Sequence, residues 1–418
     1  MQTEPAPREI GRLTLFDAYR GLSKEAKYLI YSGILPAVAY GMFYTDISYF
    51  LTKVQGLPIE FMGLIVTAMG ISTFAASVPL GIAADKYGRK SMLILGTVIA
   101  GIIIAAFALT TNTTLLLVAA VFEGISEAAF SASSGAWLAE KVECNQRNGA
   151  FSLFGFAQSM AYGVGGVILF GVGNFGVLGF SGHAILYVLL GLVSLFSLLF
   201  LIKVKEAKRT NCPKPQGSTN QPTPKESRRI LTKYVLSSAI IAFGAGMVVP
   251  LMTEWLNLQY GIPDAVSGPI LGITSFAIGI ATLAAPFLAK KLGLVKAIVV
   301  LQISSTVFMF ITPIFPSYLA ASTVYTLRAF LMNMASPLSQ SMIMGLVAED
   351  QRGAASGINA ALWRLPNALS TFVGAYLMAR GFLALPFFLA GLLYTLSILL
   401  FWQFFKKTKM PEEIGTGG

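Results

Sequence analysis

Charge is what this chain has least of. Asp, Glu, Lys and Arg make up 12% of its 418 residues, against roughly 25% in a soluble domain. With 55% of the residues apolar, a water-soluble fold would lack polar cover for its surface, so that class is excluded. Histidine is nearly absent. The only one, His183, lies near an expected membrane boundary, which argues against a metal cage and against histidine-based catalysis. The two cysteines, Cys144 and Cys212, fall in segments expected on the cytoplasmic side, so no disulfide is expected. No Ser–His pairing, HExxH or paired metal-ligand spacing occurs. The chain is read as a non-enzyme with no cofactor and no metal.

Long apolar runs, by contrast, recur from end to end, each near the roughly 20 residues a membrane span needs. Each should be a helix, because an unpaired strand edge cannot persist in hydrocarbon. The expected fold class is an all-α membrane protein with twelve transmembrane helices in two six-helix bundles. Residues 1–27 form a cytoplasmic segment, with an interfacial helix over Arg8 to Lys27, and 28–202 form the first bundle. Residues 203–232, rich in Pro, Ser, Asn, Thr, Lys and Arg, are a linker; 233–405 are the second bundle and 406–418 a tail. The first 27 residues are polar and no cleavable leader is expected. Of the 30 Lys and Arg residues, all except Lys53, Arg328, Arg364 and Arg380 fall in segments on one face. That bias makes both termini and the linker cytoplasmic in a plasma-membrane protein. The net charge of +11 is thus an orientation signal, and no nucleic-acid partner is expected.

The two bundles are copies. A constant offset of 205 carries Gly41-Met42 onto Gly246-Met247 and Gly56-Leu57-Pro58 onto Gly261-Ile262-Pro263. It also carries Gly63 onto Gly268, Gly88 onto Gly293 and Gln146-Arg147 onto Gln351-Arg352. An even number of spans per copy makes the copies parallel, related by an axis along the membrane normal. Two such halves packed face to face leave a cavity near the midplane, which rocking exposes to each side in turn.

Between spans two and three stands Gly81-Ile82-Ala83-Ala84-Asp85-Lys86-Tyr87-Gly88-Arg89-Lys90. This segment, with the repeat, the linker and the length, resembles the major facilitator superfamily over nearly the whole chain. The resemblance implies that Gly81 permits close helix approach and that Asp85 locks the inner gate against the second half. It also implies that Arg89 pairs with a nearby carboxylate, for which Glu140 is the candidate. Gly81, Asp85, Gly88, Arg89, Lys90 and Glu140 are therefore the expected gating set; the repeat places Lys290 opposite Asp85, so the gate should be asymmetric. Likeness to the drug–proton antiporter branch is looser. Ala120 stands where that branch carries Arg, and Tyr162 where its Gly-Pro-x-x-Gly-Gly has proline.

Ionisable groups inside spans are costly and face a cavity or a partner. They are Asp46, Glu123, Glu127, Glu254, Arg328 and Arg364, the expected substrate- and proton-binding residues. Glu123 and Glu127, four apart, share a helical face with Ser131 and Ser134. One of the pair could carry a coupling proton, or both could be neutralised by Arg328 or Arg364. Arg328 is the repeat counterpart of Glu123 and could face it across the cavity. Arg364 lies on a stripe of Gly353, Gly357, Ala360, Asn367 and Thr371, suited to anion recognition or to a fixed interhelical salt bridge. Asp46 and Glu254 fall in the outer halves of their spans, Glu254 one turn after Pro250. Phe43, Tyr44, Tyr49, Trp255 and Trp363 are the expected cavity aromatics, suited to a lipophilic cation, although aromatics near an interface also serve as anchors.

These features favour a proton-coupled antiporter, working by alternating access, for efflux of an amphipathic organic solute. Its partners would be that small molecule, H+ and the lipid bilayer, with the protein a monomer. Uptake of an anionic metabolite through Arg328 and Arg364 is a second reading, and a non-transporting sensor or scaffold a third.

Overall fold

The computed structural model describes residues 19–142, 147–175, 181–205, 224–346 and 352–406; the side chains of Asp85, Lys290 and residues 352–362, among others, fall outside the description. Among the described residues all regular structure is helical. The first half comprises α1 (Lys24–Ser32), α2 (Ile34–Tyr49), α3 (Ile59–Tyr87), α4 (Arg89–Leu109), α5 (Thr113–Lys141), α6 (Arg147–Ile168), α7 (Gly182–Leu195) and α8 (Leu198–Lys203). The second comprises α9 (Pro224–Gly246), α10 (Met252–Tyr260), α11 (Asp264–Leu292), α12 (Leu294–Ile311), α13 (Tyr318–Leu346), α14 (Arg352–Ala379) and α15 (Leu385–Phe405). Helix α9 is thus already formed at Pro224, inside the segment expected as linker.

The offset of 205 appears directly in these bounds. It takes α3 onto α11 and α5 onto α13 at both ends, and it matches the starts of α4 and α12 and of α6 and α14. The cause is local chemistry repeated twice. Gly88 and Gly293 both have positive φ, 98° and 75°, which lets the chain reverse between two long helices where a side chain would be strained. Gly41 packs its bare face on the Tyr162 carbonyl, and its counterpart Gly246 does so on the Asn367 carbonyl, again 205 apart.

Nine helical segments of the described residues are long and apolar enough to cross a membrane. The three other expected spans fall short for different reasons. The first is interrupted at Gly33 between α1 and α2 and ends in a π-helical turn at Phe50–Val54. Helices α13 and α14, of 29 and 28 residues, have the length but carry Arg328, Asn333, Arg364 and Asn367. Their polarity belongs to the interior of the molecule. Large apolar side chains such as Val78, Ile82, Leu109, Phe170, Ile202, Leu392 and Leu399 are exposed, as expected where lipid is the solvent.

The halves meet along two symmetry-related seams. Helix α3 lies on α14, with Gly63 and Gly70 against Ala375 and Ala368, and the Thr67 hydroxyl donates to the Ala368 carbonyl at 2.8 Å. Helix α11 lies on α6, where Gly268 and Gly272 face Gly166 and Gly163. Small residues let the backbones approach closely, the usual means of helix association where no hydrophobic drive exists.

Candidate functional site

Between the halves lies a cavity of about 740 Å³, within the range of small-molecule sites. Its wall runs from Tyr44 and Ile47 past Glu127, Tyr162, Arg328 and Arg364 to Gln340 and Phe401. Gln340 and Phe401 lie near the ends of α13 and α15, on the side of the Gly81–Lys90 loop; this is the loop end. The cavity therefore extends towards the loop end. Towards the opposite, far end the halves are joined by polar bonds. Thr52 donates to Glu254 at 2.7 Å, Lys53 lies 3.5 Å from the same carboxylate, and the Thr253 hydroxyl donates to the Thr45 carbonyl.

At mid-depth the charged residues divide into two centres. Glu127 on α5 forms an ion pair with Arg364 on α14, which also joins the halves. One turn before it, Glu123 is fully buried and accepts a hydrogen bond from the Tyr44 hydroxyl at 2.6 Å, while its Oε2 has no hydrogen-bond partner. Tyr40 stacks on Tyr44 and hydrogen-bonds Ser126. Glu123 thus sits behind a tyrosine screen while Glu127 faces the cavity. A second pocket of about 360 Å³ is lined by Pro36, Tyr40, Phe130 and Ile278 and shares Tyr44, Glu127 and Tyr162 with the first.

Arg328 occupies the other centre. Its guanidinium hydrogen-bonds the Tyr394 hydroxyl and lies over the rings of Tyr325 and Tyr394. The residue is 4% exposed and its Nε has no hydrogen-bond partner. Among the described residues no ion pair joins Arg328 to Glu123, its repeat counterpart. Each charge instead found a tyrosine of its own half, because a phenol can partner either sign. At mid-depth, Arg364 supplies an ionic contact across the halves through Glu127.

The family model for the Major Facilitator Superfamily matches this chain over residues 29–236 and again over 234–417. The chain belongs to the major facilitator superfamily. Multidrug resistance protein 2 of Bacillus subtilis (strain 168) is 21% identical over 359 residues, covering 84% of this chain and 88% of that protein. Among solved structures, a bacterial homologue of the human lysosomal transporter Spinster, inward-facing and unoccupied, superposes with a TM-score of 0.72 at 16% identity. It covers 94% of this chain and all of that one. The nucleoside transporter NupG reaches a TM-score of 0.69 at 12% identity, over 93% of this chain and all of that one. The protein is therefore a membrane transporter and not an enzyme.

In this superfamily member the signature loop is partly described. Arg89 lies 3.3 Å from Glu140, the carboxylate expected for it, and Lys90 donates to the carbonyls of Ile202 and Val204. Gly88 has the positive φ already noted, and among the described residues nothing lies within 4 Å of where a Cβ on Gly81 would stand, so the close helix approach implied for Gly81 is not seen among them. Side-chain contacts of Asp85 and of the stripe residues Gly353, Gly357 and Ala360 fall outside the described residues, as do Cys144 and Cys212. The expected aromatic set is corrected. Tyr44 and Trp363 line the cavity, but Phe43 packs on Phe107 and Tyr187, Tyr49 stacks on His183, and Trp255 is buried against Tyr260 and Phe387. Periodicity gave their heights in the membrane and could not distinguish an inward face from a face packed on another helix.

Asp46 and Glu254, expected as binding residues in the outer halves of their spans, lie at the far end and are not among the residues that line the cavity. Asp46 meets His183 at 3.0 Å, and His183 lies 3.5 Å from Asp264. One imidazole nitrogen and one oxygen from each carboxylate of this trio lie within 4.8 Å of one another, a grouping that the position of a single histidine in the sequence does not reveal. Asp264 directly follows Gly261-Ile262-Pro263, a context that reads as a turn ahead of the span and gives no sign of a buried carboxylate. Tyr40, Tyr162, Tyr325 and Tyr394 stand outside the expected aromatic set, because spacing along a helix does not say which of its faces meets the cavity or a buried charge.

Proposed function

We propose that this transporter is a proton-coupled antiporter exporting amphipathic, drug-sized organic solutes by alternating access. The observation that carries the reading is the Glu127–Arg364 pair in the wall of a cavity between two pseudo-symmetric halves, with Glu123 one turn away. A cationic solute that engages Glu127 competes with Arg364 for it, and a proton on either glutamate weakens the pair as well. Solute and proton then act on the same contact, which is what exchange requires. Cavity size and the mixture of Tyr, Met, Trp and amide side chains suit an amphipathic guest, and a multidrug resistance protein is among the relatives. With the loop end in the cytoplasm, as the Lys and Arg distribution expects, the cavity opens inwards.

A second reading has its own observation. Arg328 lines the cavity with no carboxylate paired to it among the described residues, so an anionic group on a solute could dock there. The planar guanidinium fork would then matter, and Arg328→Lys would abolish binding.

The test is flux of a lipophilic cationic dye in proteoliposomes under an imposed pH gradient. The gradient should drive dye movement, and Glu123→Gln and Glu127→Gln should uncouple it. Flux indifferent to the gradient and to both substitutions overturns the coupling. Anion flux lost in Arg328→Lys would favour the second reading.

A further inference from the structure

The far end holds a cluster of titratable groups that the cavity does not use. Asp46, near the end of α2, is fully buried; Asp264, the first residue of α11, is 3% exposed. His183, in the first turn of α7, lies between them. Its Nδ1 stands 3.0 Å from Oδ2 of Asp46 and 3.5 Å from Oδ2 of Asp264. Asp46 Oδ1 and Asp264 Oδ2 are buried without a hydrogen-bond partner. Around the cluster stand Tyr49 and Phe50, whose rings lie against the imidazole, and Tyr187, whose hydroxyl is buried. From α10 the nearest charged group is Glu254, which Thr52 and Lys53 already engage. Two carboxylates and one imidazolium in these surroundings leave a net charge of −1. One further proton, held between the carboxyls, makes the cluster neutral and gives both orphaned oxygens a use.

The two carboxyls belong to different halves of the molecule. Asp46 is in the first and Asp264 in the second, so opening the far end must pull them apart and expose them to water. We propose that Asp46, His183 and Asp264 form a proton-binding latch that holds the halves together at the far end while occupied and releases them when the proton leaves. The site is separate from Glu123 and Glu127, which take their proton at the cavity. The inference rests on the alternating-access reading, and its ligand is H+. A divalent metal ion could also neutralise one imidazole and two carboxylates, so the experiment separates the two.

Spin labels at Thr111→Cys and Ser317→Cys, in far-end loops of opposite halves, in a Cys144→Ser, Cys212→Ser background of the full chain, report the opening of that end without any substrate. In nanodiscs the long-distance population of the otherwise unaltered protein should rise at least about fivefold between about pH 5 and about pH 9. Asp264→Asn keeps a neutral, hydrogen-bonding side chain and should hold the short distance at every pH. Asp46→Asn makes the same test from the other half should the first variant fold poorly. Glu254→Gln should keep the response. The latch is overturned if the unaltered protein shows no pH response, if both Asn variants retain it, or if Zn²⁺ restores and EDTA abolishes the short distance regardless of pH. Failure of dye flux in liposomes would touch the cavity reading alone.

Discussion

The two halves share a backbone plan and differ in sign. At position 123 the first half carries a buried glutamate, and at the equivalent position 328 the second carries a buried arginine. Each is held by a phenol, but from non-equivalent helices: Tyr44 of α2 serves Glu123, whereas Tyr394 of α15 serves Arg328. Next to them, Glu127 has an apolar counterpart in Met332, and Arg364 has a neutral one in Ser159. Duplication preserved the glycines that set the helix packing and let the charges diverge. A symmetric pair of acids would have repelled across the cavity, whereas acid on one side and base on the other gives a contact that a solute or a proton can break.

The sharpest way to break this comparison is to remove one cation at a time. Arg364→Met takes from Glu127 its ionic partner in the cavity wall; dye flux should fall at least about 100-fold, a barrier of about 2.7 kcal/mol. Arg328→Met combined with Tyr394→Phe removes a charge and its neutral partner together. It should leave thermal unfolding in detergent within about 1 kcal/mol of the unaltered protein. Tyr394→Phe alone leaves the guanidinium short of a hydrogen bond and should cost about 1.5–3 kcal/mol. If Arg328→Met with Tyr394→Phe proves as damaging as Arg364→Met, the two arginines are not different in kind.

The packing symmetry predicts equal, smaller effects. Gly41→Ala and Gly246→Ala each press a methyl into the carbonyl facing it and should each cost about 1–3 kcal/mol, read as matching falls in Tm. Unequal falls would show that one half gives way more readily. The smallest effect lies outside the spans, where Glu25 on α1 accepts a 2.6 Å bond from Lys141 and the nearby ammonium holds its carboxyl below the usual range. Stability from this pair is present above about pH 4.3, the ordinary glutamate value, and is lost as pH falls through the lowered value. For a half-exposed carboxylate the amount is under about 1 kcal/mol. Glu25→Gln should flatten that acid limb of the pH–Tm curve and leave the neutral region unchanged.

Much of the fold could be read along the chain because it is written in short-range terms. Glycines at a constant spacing mark the turns, hydropathy marks most of the spans, and Arg89 lies 3.3 Å from Glu140, the candidate for the pairing that the family resemblance implies. The site was legible only in part. Glu127 and Arg364 were named as candidates, yet which arginine would meet which glutamate depended on which helices adjoin across the halves. Asp264 is obscured by its turn context, and Trp255, expected in the cavity, is buried on Tyr260 and Phe387 instead, because its height in the membrane says nothing of its rotation about the helix axis.

The sequence by itself determined the solvent, the repeat and the family, since these follow from composition and from residues close in the chain. Only the tertiary structure decided the partners of the buried charges. A desolvated charge takes whatever hydrogen-bonding group lies within about 3 Å. For Glu123, Arg328 and Asp46 that neighbour comes from another helix, which no spacing along the chain specifies.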